Sequence, residues 1–167
     1  MRASRRSLWY RNVIFGVEDS LISTLGLLAG LAIAGADRSN LLVTGAVLIG
    51  VEAFSMGVGS LLTEHSVEEL ESKRALPMHR AALGGCMMFV SYVSAGIVPL
   101  APYVFLPVDG ALMLSIVFTL TALFALGVCV AWESRTRMLR HGFEMLLLGG
   151  AAIAVGMIVG QLAHIVV

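Results

Sequence analysis

Charge is what this chain has least of. Only 13% of its 167 residues are Asp, Glu, Lys or Arg, while 58% are hydrophobic; a soluble domain carries about 25% charged and about 45–50% apolar residues. A mean hydropathy of +0.91 places the chain in the membrane class. Aromatics are also few, at 7%, and interleave with no basic face, so nucleic acid is excluded as a partner. Cysteine is limited to Cys86 and Cys129, both inside apolar stretches and without CxxC or Cys/His spacing. That excludes a zinc or redox site and leaves two buried thiols acting as small hydrophobes. Arg2, Arg5 and Arg6 resemble the start of a signal peptide, but Glu18 and Asp19 interrupt the apolar run that follows, so the segment reads as mature sequence.

What the chain has instead is long apolar runs. A bilayer core needs about 20 apolar helical residues, and five stretches qualify: 13–36, 41–62, 80–101, 110–132 and 142–166. The expected fold is an all-α integral membrane protein, one transmembrane domain over 1–167 with five spanning helices. Asp37-Arg38-Ser39-Asn40 makes a turn, with Asn40 placed to cap the second helix; Asp109 is placed to cap the fourth. Pro99, Pro102 and Pro107 separate the third span from the fourth. Residues 63–79 form the one long polar connector, and Trp132 suits an interfacial belt.

Arg2, Arg5, Arg6, Arg11, Lys73, Arg74, Arg80, Arg135, Arg137 and Arg140 fall on one side of these spans, with Arg38 alone on the other. The positive-inside rule then predicts a cytoplasmic N-terminus and an outside C-terminus. Several of the 18 glycines stand at close-packing intervals: Gly26 and Gly30, Gly156 and Gly160, Gly84-Gly85 and Gly149-Gly150. They fit helix packing within one chain or, as the alternative, a dimer interface.

Against this background the intramembrane carboxylates stand out. Each costs about 2.5–3.5 kcal/mol to insert at a helix centre, and such groups usually bind cations or relay protons. Asp19 lies seven residues into the first span and Met56 six or seven from the end of the antiparallel second, so both sit about 10 Å below the same surface. One turn deeper come Ser23 and Glu52, each four residues from its partner and hence on the same face. Carboxylate, hydroxyl and thioether suit ferrous iron or manganese better than sodium or magnesium. Glu18 points about 100° away from Asp19, so Asp19 is expected to face the pathway, with Glu18 pairing with Arg11 or lying at the interface. Glu52, in mid-span, reads either as a neutral hydrogen-bonded acid or as a proton-coupling group. In the connector, Glu64, Glu68 and Glu71 share a face if the second helix continues, with His65 and Glu69 among them. They form either a cytoplasmic entry rim that collects cations or a solvated polar face. Glu133 and Glu144 flank the same side and admit both readings, and His164 reads as interfacial.

The motifs around these residues resemble those of the vacuolar iron transporter family. Phe15-Gly16-Val17-Glu18-Asp19-Ser20-Leu21-Ile22-Ser23-Thr24-Leu25-Gly26-Leu27 is similar to its first-helix signature, and Glu52-Ala53-Phe54-Ser55-Met56-Gly57-Val58-Gly59 to its second-helix motif. Gly96-Ile97-Val98-Pro99-Leu100-Ala101-Pro102-Tyr103 resembles the end of the family's third span. Ser20 stands where the family usually has Gly, and Gly59-Ser60-Leu61 where many members have Gly-Glu-Tyr; the connector is too short for the family's cytoplasmic metal-binding domain. The resemblance implies a homodimer, a transporter and not an enzyme. It would hold no permanent cofactor and would export Fe2+ or Mn2+ from the cytosol in exchange for protons, with Asp19 and Met56 lining the path at the dimer interface. A bacterial-type inner membrane is the expected location, with lipid, metal ion and protons as partners. Two alternatives stay open: a small proton-coupled exporter of organic cations, and a non-transporting membrane subunit.

Overall fold

The computed structural model describes the backbone of residues 5–72 and 78–166 and the side chains of 9–70, 78 and 81–165. Six helices follow one another: α1 (Arg5–Ile33), α2 (Arg38–Ser72), α3 (His79–Leu100), the single turn α4 (Pro102–Phe105), α5 (Val108–Glu133) and α6 (Met138–Val166). Among the described residues there is no strand, and five of the helices are long and apolar enough to cross a membrane. The spanning segments are Trp9–Ile33, Arg38–Leu70, Ala81–Leu100, Val108–Glu133 and Met138–Ile165. The expected five spans are therefore present, with most ends displaced outward.

The displacements have local causes. Asp37, not Asn40, caps α2: its Oδ1 accepts the Asn40 backbone N–H at 2.7 Å, so the helix starts two residues before Asn40. Asp109 does not cap α5 either. That helix starts at Val108 behind Pro107, which has extended backbone and no side-chain cap, and Asp109 lies in the first turn. Pro99 lies inside α3 near its end, where few backbone bonds remain to be lost, and its carbonyl accepts the Ser115 hydroxyl at 2.7 Å. At 35 residues, α2 is about 50 Å long, far more than a core of about 30 Å requires. Its polar last turns carry much of the expected connector as helix.

Arg38 secures the end of the bundle opposite the N-terminus. Its Nε donates to the Tyr103 carbonyl at 2.7 Å and its Nη2 to that of Val104, so the start of α2 satisfies carbonyls that α4 leaves free. Cys86 and Cys129 are exposed on the bundle's outer surface and are not buried in its core. In a spanning helix such a position faces lipid, where a thiol is as acceptable as inside.

α1 runs through the middle, packing on α3, α5 and α6, while α2 packs chiefly on α3. α1 and α6 are parallel and meet backbone to backbone. A Cβ at Gly156 would lie 2.2 Å from the Gly26 carbonyl oxygen, and one at Gly160 would lie 2.0 Å from that of Gly30. The spaced glycines thus serve contact within the chain, where lipid offers no hydrophobic drive and close approach supplies dispersion. Gly156→Ala and Gly160→Ala are expected to destabilise the fold by about 1–3 kcal/mol through forced helix separation. Gly50→Ala, where nothing lies within 4 Å of the new Cβ, should leave the unfolding midpoint in detergent unchanged.

Candidate functional site

The light contact between α1 and α2 leaves their facing sides to polar groups. Asp19 on α1 and Glu52 on α2 are both half-buried and lie within reach of each other's charge. Ser23 follows Asp19 by one turn and Met56 follows Glu52 by one turn, so each helix contributes a pair. Met56 packs against the cluster of Ile49, Ala53 and Tyr92. Ser23 Oγ shares a 2.7 Å hydrogen bond with the Tyr92 hydroxyl. The four residues matched by depth are thus gathered around one side chain.

That side chain, Tyr92 of α3, was not among the candidates. It is fully buried, its hydroxyl lies in the field of both Asp19 and Glu52, and its main-chain carbonyl accepts the Ser20 hydroxyl at 2.7 Å. In the sequence it is an aromatic in an apolar run that also holds Phe89, the usual signature of core filling. The one available signal was spacing: Tyr92 lies seven residues before Pro99 and four before Gly96, so it faces the side where α3 is approached most closely.

Glu18 is half-buried and lies in the field of Asp19 next to it, while Asp19, alone of the two, lies in the field of Glu52. The site therefore offers two carboxylates with neutral oxygen and sulfur donors around them. Among the described residues, no three His, Cys, Asp or Glu side chains come together closely enough to hold a metal ion. Met56, Ser23 and Tyr92 are the uncharged groups beside the two carboxylates.

Of the connector acids, Glu64 departs from both a collecting rim and a solvated face. Glu64 is buried, 9% exposed. Its Oε1 accepts the Asn12 side-chain amide at 2.5 Å and the Ser60 hydroxyl at 3.4 Å. The carboxylate lies against Gly84, where a Cβ would come within 2.3 Å of it. Glu64 thus ties α1, α2 and α3 together at the end of the bundle that carries the N-terminus. Glu68 is half-buried, with Oε2 shielded and without a hydrogen-bond partner. His65 lies 3.4 Å from Glu69. The Glu71 side chain lies outside the described residues. Glu144 pairs locally on α6, at 2.8 Å from Arg140 and 2.9 Å from His141. His164 is exposed, its Nδ1 3.1 Å from the Ala34 carbonyl.

A profile of the VIT family matches residues 10–81 and 61–161. Similar proteins include vacuolar iron transporter 1 of Arabidopsis thaliana, 28% identical, with the alignment taking in 86% of this chain and 82% of the plant protein. Vacuolar iron transporter 1 of Eucalyptus grandis is 24% identical with the same coverage. Vacuolar iron transporter homolog 2 of Arabidopsis thaliana is 26% identical, covering 91% of this chain and 83% of its own length. The first alignment spans 204 positions, more than the 167 residues here, so that relative carries inserted sequence; the third spans 166 and needs little. Together the two matched stretches run from the first turns of α1 to the last turns of α6, and the chain belongs to the VIT family.

Proposed function

We propose that this membrane protein exports a divalent transition metal, ferrous iron or manganese, from the cytosol in exchange for protons. The observation that carries the reading is the convergence of Asp19, Ser23, Glu52 and Met56 around Tyr92, within the membrane-spanning part of the bundle. Two carboxylates on separate helices repel each other when both are ionised, and a dication or protons relieve that repulsion. Metal and proton therefore compete for the same oxygens, which is the elementary requirement for exchange. The thioether of Met56 favours an ion that accepts sulfur over magnesium or calcium. The names of the relatives, vacuolar iron transporters, support iron as cargo.

The excess of Arg and Lys at the end that carries the N-terminus supports a cytoplasmic N-terminus. Metal would then enter from that end and reach Asp19 and Met56 about 10 Å in. The working unit of this reading is a homodimer. One face of α2 (Val43, Val47, Val51, Phe54, Val58 and Leu62) is exposed next to the half-complete site, and a second copy placed there would bring a second set of donors. A bacterial-type inner membrane remains the proposed location, with the plant relatives marking organelle membranes as the competing one.

Metal uptake into proteoliposomes tests the site. Asp19→Ala is expected to lower Mn2+ and Fe2+ flux by about a hundredfold, through loss of a charged ligand, and Met56→Ala by about tenfold; normal flux in both variants rejects the site. An acid-inside gradient should accelerate Mn2+ uptake, because protons leave as metal enters, and a protonophore should abolish the acceleration. Equal rates with and without the gradient would exclude proton exchange.

A further inference from the structure

The geometry points to Tyr92 as the residue that sets the span of the cation site and thereby its preference among divalent ions, an inference that rests on Asp19, Glu52 and Met56 forming that site. α1 and α2 touch only lightly, whereas α3 packs broadly on both. The separation of the two carboxylates is therefore transmitted through α3. On the α1 side Tyr92 is held twice, by Ser20 at its carbonyl and by Ser23 at its hydroxyl, each at 2.7 Å. On the α2 side Tyr92 belongs to the cluster with Ile49 and Ala53 against which Met56 packs.

Gly96, one turn further along α3, shows the same tight tolerance independently. A Cβ there would stand 2.7 Å from Ile49 Cγ1 and 2.9 Å from Ser20 Oγ. Both neighbouring helices thus bear on α3 at this level without slack. Ligands carried on separate rigid helices select an ion by how far apart they are held. Small dications bind oxygen at about 2.0–2.2 Å and Ca2+ at about 2.3–2.6 Å, so a few tenths of an ångström of spread is enough to admit the larger ion. Tyr92 acts through the ligands it spaces, as a positioning residue.

The test is Mn2+ uptake into proteoliposomes with Ca2+ as competitor. In Tyr92→Phe, which keeps the ring and removes only the hydroxyl, the preference for Mn2+ over Ca2+ is expected to fall about tenfold, the scale of one hydrogen bond beside a charged site. Ser23→Ala should produce the same fall, and the double variant no more than either alone, because both remove one bond. Gly96→Ala, which wedges Ser20 and Ile49 away from α3, should shift the preference in the same direction. An unchanged preference in Tyr92→Phe overturns the inference. So does a lower maximal rate with preference intact, which a purely structural role would give, or multiplying losses in the double variant. Asp19→Asn separates the two levels. Normal Mn2+ flux there rejects the site itself, whereas lost flux there with normal preference in Tyr92→Phe rejects only the spacing role.

Discussion

A carboxylate placed in hydrocarbon has no water to solvate it, and that shortage organises this molecule. Asp19 and Glu52 each carry a cost of a few kcal/mol, and near each other the costs add. Among the described residues, the Arg and Lys side chains of the spans they belong to are Arg11 and Arg38, both exposed near the ends, and His65 of α2 lies beside Glu69. The groups gathered beside them are uncharged: the Ser23 and Tyr92 hydroxyls and the Met56 thioether. The rest of the bundle has to keep those two groups close, half-open and aligned without neutralising them.

Small residues make that possible. Where α1 meets α6, and where α2 crosses α3 at Gly57 and Gly85, the helices touch through backbone; a Cβ at Gly85 would lie 2.5 Å from the Gly57 carbonyl oxygen. Such contacts leave little freedom to slide, because any separation forfeits dispersion that lipid does not replace in kind. The α1–α2 side, by contrast, is lightly packed and polar. The bundle is thus stiff on one side and has a lightly packed polar seam on the other.

Much of this was legible from residue order. Counting residues from the polar boundaries put Asp19 level with Met56 and Ser23 level with Glu52, and the structure gathers all four around Tyr92. Depth counting rests on the rise of 1.5 Å per residue, which a helix keeps whatever its neighbours. It fails for anything that depends on which helix lies alongside. Tyr92 is beyond its reach because an aromatic in an apolar span, like its neighbour Phe89, carries no mark of its partner. Glu64 was read as part of a rim or a solvated face because the connector looks polar; only the approach of Asn12 and Gly84 shows that its carboxylate is enclosed. Capping rules point to Asn40 and Asp109, whereas Asp37 caps α2 and α5 starts behind Pro107 with no side-chain cap.

Composition and periodicity alone determined the five spans, the all-helical class and the acids that lie within the membrane, since each follows from the transfer energy of residues taken one at a time. Which helices touch, that the spaced glycines join α1 to α6 within one chain, that Glu64 is buried, and that a tyrosine from a third helix stands between the two acidic ones were decided by tertiary packing. These depend on shape between segments far apart in the chain, and shape has no representation in the hydropathy of any single stretch.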